Sequence, residues 1–130
     1  MSDRQEFIDR ILEHYENPRH RRRMETPAAV AEGRTPGCGD RLTIYLQIEH
    51  ERIREASFEG QGCAISLAAA SMLTDQLVGK TLAEVSTLGP ALMAELLGAA
   101  ALANRPRCAL LALRTAQQAV VRYRSETHAV

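Results

Sequence analysis

The sequence predicts an α+β fold in which a small three-stranded antiparallel sheet is covered on one face by helices. Two observations lead to this class. Residues 42–48, Leu-Thr-Ile-Tyr-Leu-Gln-Ile, alternate between apolar and other side chains, which is typical of a half-buried strand. From Gly62 onward, apolar residues recur at helical spacing. Strands that come first and helices that follow, without alternation, indicate an α+β protein.

The first half of the chain is predicted to contain one helix and three strands. Apolar residues at helical spacing predict an amphipathic helix over residues 3–16. Asn17-Pro18 ends it, because a residue before proline avoids the helical conformation. After the strand described above, a polar turn leads to a second, antiparallel strand over residues 53–59. Residues 24–32 are predicted to supply the third strand beside these two.

The second half of the chain is predicted to be helical. Gly79 is a natural stop for the first of these helices, and Thr81 and Glu84 have the spacing of a capping box that opens a short helix. Pro90 is tolerated in the first turn of the next helix. The sequence therefore predicts helices over residues 64–78, after Thr81, over residues 89–103 and over residues 106–123.

Length and composition indicate one globular domain over residues 1–130. The apolar fraction of 45% and the charged fraction of 25% are those of an ordinary folded protein. Glu95 interrupts the most apolar stretch, residues 91–103, so no membrane-spanning segment is expected. The first ten residues are charged and lack the apolar stretch of a secretory signal. We therefore expect a soluble, cytoplasmic protein that does not associate with membranes.

The charges of the chain balance. Sixteen basic and sixteen acidic residues cancel at neutral pH, so the basic surface typical of nucleic-acid-binding proteins is not expected. Residues 19–23, Arg-His-Arg-Arg-Arg, form a basic segment without neighbouring aromatic residues. This segment is predicted to be a solvated or protein-docking surface, and no nucleic acid is expected as a partner.

Three cysteines carry the chemical information in the sequence. Cys38 lies between two glycines, Cys63 follows Gly-Gln-Gly, and Cys108 follows Arg-Pro-Arg. The last two stand in the first turns of predicted helices, where unpaired amides favour a thiolate. Arg105 and Arg107 add positive charge beside Cys108. All three cysteines therefore lie where a loop meets a helix or strand, which is unusual for cysteines that only fill a core.

Three interpretations of these cysteines remain open: buried apolar residues, reactive thiols or metal ligands. No Cys-x-x-Cys pair is present, and no histidine stands beside a cysteine, so neither a usual zinc finger nor a Cys-His hydrolase pair is indicated. Asp40 adds a fourth candidate ligand two residues after Cys38. Three thiolates and a carboxylate suit zinc, and thiolates equally suit an iron–sulfur cluster. The alternative for Asp40 is a turn residue that caps local amides.

Four short motifs follow one another along the chain. They are His-Tyr-Glu-Asn-Pro-Arg over residues 14–19, Pro-Gly-Cys-Gly-Asp over residues 36–40, Phe-Glu-Gly-Gln-Gly-Cys-Ala-Ile-Ser over residues 58–66, and Arg105-x-x-Cys108-Ala109-x-Leu111. In this order they resemble the IscU/SufU family, also called NifU N-terminal-like iron–sulfur assembly proteins. The resemblance spans nearly the whole chain. It implies a compact α+β fold of the SufE/NifU-like kind, with three cysteines and one aspartate at one exposed edge.

The resemblance also implies a set of site residues and partners. Members of the family receive persulfide sulfur from a cysteine desulfurase of the SufS/IscS type, and they either build a [2Fe–2S] cluster or pass the sulfur onward to apo iron–sulfur acceptors or assembly proteins. Cys38 would be the sulfur acceptor, and Arg105 would support it. The ligands of zinc, or alternatively of iron or a [2Fe–2S] cluster, would be Cys38, Asp40, Cys63 and Cys108.

The resemblance favours the SufU branch. IscU proteins have a histidine directly before the last cysteine, within a Leu-Pro-Pro-Val-Lys segment; here Arg107 takes that place and the segment is absent. The helical insertion typical of SufU between the second and third cysteines is, however, largely missing. The first hypothesis is therefore a zinc-binding sulfur acceptor. The alternatives are an IscU-like scaffold for a transient cluster and a structural or regulatory zinc module, so the chain is either a sulfurtransferase-like carrier or a non-enzymatic protein.

Overall fold

The computed structural model describes residues 4–37 and 39–127. The described residues begin with a helix and three strands, and continue with helices to Thr127, which confirms the predicted α+β class. The elements are α1 (Arg4–Glu16), β1 (Ala29–Arg34), β2 (Arg41–Glu49), β3 (Arg52–Gln61), α2 (Ala64–Leu77), α3 (Leu82–Thr87), α4 (Pro90–Leu97), α5 (Ala99–Asn104) and α6 (Pro106–Thr127). None of the described helices is long and apolar enough to cross a membrane.

The strands form an antiparallel sheet in the order β1-β2-β3. Ile44 of β2 lies opposite Ala31 of β1 and Phe58 of β3. The two strands predicted over residues 42–48 and 53–59 are confirmed, but the edge strand begins at Ala29 and not at residue 24. Pro27, just before it, has no amide hydrogen to donate to a neighbouring strand, which disfavours an earlier start of the pairing.

Helices α2 and α6 pack against the sheet and against each other. Helix α2 is buried on nearly all sides, because it also lies beneath α1. Most of its buried residues are small, which lets the neighbouring elements approach closely. The core is mostly aliphatic, and Phe58 is its largest fully buried side chain. This packing holds the start of α2 and the start of α6 in place beside the sheet.

The basic segment over residues 19–23 is tied to its own chain. Arg19 pairs with Glu13 at 2.5 Å, and Arg22 pairs with Glu55 at 2.6 Å. Arg21 donates a hydrogen bond to the carbonyl oxygen of Gly60 at 3.0 Å. The segment also runs beside the outer edge of β3. These arginines therefore help to cover an exposed strand edge, which the prediction of a solvated or protein-docking surface had not anticipated.

Two helix predictions have different outcomes. The capping box is confirmed: Thr81 Oγ1 accepts a hydrogen bond from the Glu84 amide at 3.1 Å, and Glu84 accepts one from the Thr81 amide at 2.8 Å. The single helix predicted over residues 89–103 is wrong, because α4 ends at Leu97 and α5 begins at Ala99. Gly98 between them has φ of 94°, and a Cβ there would lie 2.8 Å from the ring of Phe7. The break therefore lets α1 pack closely.

Candidate metal centre

Three chain segments that are distant in sequence bring candidate metal ligands together. Asp40 stands directly before β2, Cys63 is the N-cap residue of α2, and Cys108 lies in the first turn of α6. Their ligand atoms, one carboxylate oxygen and two sulfurs, all lie within 4.8 Å of one another. Cys38, the remaining member of the predicted set, lies outside the described residues. The structure thus brings three of the four predicted residues to one point.

A glycine makes this approach possible. Gly62 joins the end of β3 to α2, and a Cβ at this position would lie 2.6 Å from Oδ1 of Asp40. A real Cβ cannot come so close, so only glycine leaves room for the carboxylate here. Gly62 also has φ of 158°, at the margin of the region that side chains avoid. The second glycine of the Gly-Gln-Gly sequence before Cys63 therefore serves to admit Asp40.

Asp40 is the centre of a buried hydrogen-bond network. Its side chain is almost fully buried, with the residue only 3% exposed. Oδ1 accepts a hydrogen bond from the backbone amide of Cys63 at 3.0 Å. Oδ2 accepts one from the Ser66 hydroxyl at 2.6 Å and one from the Cys108 thiol at 3.0 Å, with the Cys63 thiol at 3.6 Å. Among the described residues, these partners lie at the starts of α2 and α6 and none lies in the turn of Asp40, which speaks against the alternative that Asp40 only caps its own turn.

The network shifts two pKa values in opposite directions. Burial works to raise the pKa of Asp40, but hydrogen bonds from Cys108, Ser66 and Cys63 outweigh it and hold the pKa below its ordinary value. Burial raises the pKa of the Cys108 thiol, and hydrogen bonds with Asp40 and Cys63 raise it further, to about 12. Without a metal, the site therefore holds a carboxylate beside a protonated thiol.

The expectation that the start of α6 favours a Cys108 thiolate does not hold for the metal-free protein. The helix position is as predicted, but Cys108 is only 3% exposed and lies against the Asp40 carboxylate. Burial and a neighbouring negative charge both oppose a thiolate, and together they outweigh the helix amides. A bound cation would reverse this balance, because it replaces the proton on the sulfur.

The residues present fit a thiolate-binding metal ion. Two sulfurs and a carboxylate oxygen are ligands that zinc accepts. Ligands of a tetrahedral zinc site lie roughly 3–4 Å apart, since each is about 2.0–2.3 Å from the ion. The observed maximum of 4.8 Å between Asp40, Cys63 and Cys108 requires only small side-chain movements to reach this geometry. The same sulfurs suit an iron–sulfur cluster, so the donor set does not choose between the two.

Arg105 lies in the short connection between α5 and α6. Its side chain is exposed and, with Arg107, lines a small cavity of about 210 Å³ that reaches Cys108. Arg105 therefore brings positive charge to the entrance of the site. The described residues supply no hydrogen-bond partner for its guanidinium group. The cation is thus available to an anion that approaches Cys108.

Ser66 was not assigned a role from the sequence. Its fully buried hydroxyl donates to Asp40 at 2.6 Å and lies 3.6 Å from the Cys63 sulfur. A signal was present, because a serine three residues after Cys63 falls on the same side of the first turn of α2. Its partner is 26 residues away, however, and no local pattern identifies it.

The His-Tyr-Glu-Asn-Pro-Arg motif has a structural position away from the metal centre. Ser71 of α2 accepts a hydrogen bond from the Arg19 amide at 2.8 Å, and its hydroxyl lies 2.8 Å from Nδ1 of His14. Burial lowers the pKa of His14. Both ends of the motif are thereby attached to α2, the helix that begins at Cys63. This motif holds the N-terminal segment on the scaffold of the site.

Comparisons with known proteins agree with this architecture. The chain matches the NifU-like N terminal domain family over residues 6–130. It is 32% identical over 117 residues to the iron-sulfur cluster assembly scaffold protein IscU 1 of Archaeoglobus fulgidus, covering 90% of this chain and 76% of that one. It is 39% identical over 70 residues to the zinc-dependent sulfurtransferase SufU of Bacillus subtilis, covering 54% of this chain and 47% of that one.

A solved structure shows the same fold. The N-terminal part of a nitrogen-fixing NifU-like protein from Brucella abortus superposes with a TM-score of 0.74 at 22% identity, covering 92% of this chain and 98% of that one. The motifs, the convergence of Asp40, Cys63 and Cys108, and the family match over residues 6–130 agree with one another. The chain belongs to the NifU-like N-terminal domain family.

Proposed function

We propose that this chain acts in iron–sulfur cluster assembly as a SufU-like, zinc-binding sulfur acceptor that takes persulfide sulfur from a cysteine desulfurase. The observation that carries this proposal is the convergence of one carboxylate and two thiols within 4.8 Å. Two features favour the zinc-binding branch. Arg107 precedes the last cysteine, and the Bacillus subtilis relative is named a zinc-dependent sulfurtransferase.

In this proposal Asp40, Cys63, Cys108 and Cys38 hold the metal. The Asp40 carboxylate supplies a negative charge before any metal arrives, because its pKa is already low. The Cys108 thiol gives up its proton when the ion binds. Bound zinc would keep the thiolates deprotonated and shielded. Asp40 is the weakest ligand, since oxygen is a poorer partner than thiolate for a soft site.

Cys38 is the proposed sulfur acceptor. Its neighbours Gly37 and Gly39 are exposed, with φ of 79° and 76°, and no atom of the described residues beyond their chain neighbours lies within 4 Å of a Cβ built on either. A segment of this kind can be reached by a partner enzyme. The Cys38 thiolate attacks the outer sulfur of the desulfurase persulfide; a new S–S bond forms on Cys38, and the desulfurase cysteine leaves as a thiolate. The sulfur then passes to an apo iron–sulfur acceptor or assembly protein.

Arg105 supports this transfer in the proposal. Its guanidinium group lies at the entrance of the site and has no other partner among the described residues. A persulfide or thiolate that arrives there is an anion, and a nearby cation stabilises it. We also propose that residues 1–130 work as one domain, because α1, β3 and α6 all pack on α2.

The test combines metal analysis with a desulfurase assay. The purified protein is expected to carry one zinc ion per chain and to stimulate cysteine-dependent sulfide release by a desulfurase. Cys38→Ser is expected to lose sulfur acceptance while its fold is kept, and Ser125→Ala, an exposed position on α6, serves as the matched control. Failure to load zinc in stoichiometric amounts under reducing conditions would rule out the zinc-dependent version.

A second candidate is an IscU-like scaffold that assembles a transient [2Fe–2S] cluster. The Archaeoglobus fulgidus relative, whose alignment covers 90% of this chain, supports this candidate because it is named a scaffold protein. Reconstitution with iron, sulfide and a desulfurase separates the two: a visible cluster that transfers to an apo-acceptor supports the scaffold, and persulfide transfer without a cluster supports the carrier. A purely structural or regulatory zinc module would instead show a loss of stability in Cys38→Ser without a specific loss of sulfur acceptance.

A further inference from the structure

A second cavity, separate from the metal centre, lies between β1 and α6. It has a volume of about 460 Å³, and the residues that matter here are Glu32, Arg34 and Thr35 from β1 and the segment after it, and Arg107 and Arg114 from α6. Asp40, Cys63 and Cys108 are not among its lining residues. The cavity is therefore distinct from the Asp40, Cys63 and Cys108 cluster, although Arg107 also lines the small cavity beside Cys108.

The cavity carries an excess of positive charge. Among the described residues, three guanidinium groups and one carboxylate line it, which leaves a net charge of two positive units. Glu32 pairs with Arg34 at 3.3 Å, so this carboxylate is already engaged. Among the residues described, the guanidinium groups of Arg107 and Arg114 have neither a hydrogen-bond partner nor an ion pair. Two cations thus line the cavity without an ion pair to any described residue.

A buried hydroxyl adds a second, independent signal. Thr35 is only 4% exposed, and its Oγ1 has no hydrogen-bond partner among the described residues. Leaving a buried hydroxyl unpaired costs free energy, so such groups are expected to find a partner. Thr35 is among the residues that line the cavity, but its Oγ1 is itself closed off from solvent, so a ligand would reach this donor only after the side chain turns.

The floor of the cavity depends on Gly33. A Cβ at this position would lie 2.1 Å from Oγ1 of Thr115, so β1 and α6 approach each other as only glycine allows. The Thr115 hydroxyl is itself satisfied by the Leu111 carbonyl oxygen at 2.7 Å. The concave shape is therefore built into the packing of the strand on the helix, and it does not depend on mobile side chains alone.

We infer that this cavity binds a small organic anion with two negative charges, carried by carboxylate or phosphate groups. Guanidinium groups bind both kinds of oxyanion through paired hydrogen bonds, and a dianion matches the net charge of the lining. Room for carbon atoms is present beside the arginines, because Pro36 and Leu111 also line the cavity. The inference is independent of which metal the neighbouring site holds.

The test is a titration of the purified, metal-loaded protein with succinate and with glycerol phosphate at low salt, followed by calorimetry or NMR. Saturable binding of at least one probe is expected. Arg114→Gln is expected to weaken it by about tenfold, the value of one charge-assisted hydrogen bond. Arg122→Gln, an exposed arginine on the same helix that does not line this cavity, is the control and should bind as the unmodified protein does.

The outcomes distinguish a carboxylate ligand from a phosphate ligand, and they show when the inference fails. Binding of succinate alone assigns a dicarboxylate, and binding of glycerol phosphate alone assigns a phosphate ester. Absence of saturable binding up to about 10 mM of either probe overturns the inference. So does binding that persists unchanged in the Arg107→Gln, Arg114→Gln double variant, because the anion would then bind outside this cavity. Zinc content and sulfur acceptance of Arg114→Gln should stay unchanged, which keeps this test apart from that of the proposed function.

Discussion

Asp40 connects the two cysteines of the candidate metal centre. It contacts both Cys63 and Cys108, and it does so through one buried carboxylate. Replacing it with alanine removes the weakest proposed ligand and the acceptor of several hydrogen bonds. Asp40→Ala is therefore expected to keep zinc on the cysteines but to bind it roughly 10- to 100-fold more weakly. Zinc competition with a chromophoric chelator measures this change, and an affinity equal to that of the unmodified protein would remove Asp40 from the site.

Ser66 positions Asp40 without belonging to the proposed ligand set. Ser66→Ala removes the 2.6 Å hydrogen bond to Oδ2 and one of the causes that lower the Asp40 pKa. The variant is expected to lose about 1 kcal/mol of stability. It should still bind zinc more tightly than Asp40→Ala does. Thermal unfolding and zinc competition, measured beside Ser125→Ala, check this order. Zinc binding weaker in Ser66→Ala than in Asp40→Ala would show that Ser66 does more than position the carboxylate.

Cys108 makes the metal-free protein sensitive to high pH. Its folded-state pKa of about 12 exceeds the value of roughly 8.5 for a thiol in an unfolded chain. The folded state therefore retains the proton more strongly, and the stability that this supplies is present below pH ~8.5 and is lost as the pH rises towards 12. The melting temperature of the metal-free protein is expected to fall in this range, and Cys108→Ser should remove this part of the fall. An identical pH profile in both proteins would contradict the assignment.

At the scale of elements, the connection between β3 and α2 positions the site. Gly62→Ala would place a Cβ 2.6 Å from Oδ1 of Asp40 and is expected to push the carboxylate out of the network. Gly79 offers a matched control, since its φ of 91° also disfavours alanine but no atom lies within 4 Å of the added Cβ. Both variants should lose roughly 1 kcal/mol or more of stability. Only Gly62→Ala should weaken zinc binding, and a similar loss in Gly79→Ala would mean that general destabilisation is responsible.

Elements with strong local signals were predictable from the sequence. The alternation over residues 42–48 and the Thr81 capping box depend on neighbours in the chain, and both are found. The close approach of the Phe7 ring at the Gly98 break was not predictable, because Phe7 lies far away in the sequence. The edge strand begins later than predicted, since the apolar pattern over residues 24–32 does not show where its pairing with β2 begins.

At the scale of the whole molecule, the sequence indicated the site residues but not their surroundings. Cysteines at the junctions of loops and helices, together with Asp40, pointed to one site, and the fold brings the described members together. The position of Cys108 at the start of a helix predicts a lowered thiol pKa, but the pKa is raised, because burial against Asp40 outweighs the effect of the helix. Ser66 and the cavity between β1 and α6 depend on tertiary packing, which periodicity and spacing do not report.

The central claim is that a zinc site at Asp40, Cys63 and Cys108 serves sulfur acceptance by Cys38. It is tested most directly by mass spectrometry of the zinc-loaded protein after incubation with a cysteine desulfurase and cysteine. The account predicts that one sulfur atom is added to the peptide that contains Cys38, and that Cys38→Ser gains none. Sulfur added equally to Cys38→Ser, or a protein that accepts sulfur equally well after its zinc is removed, would contradict the account.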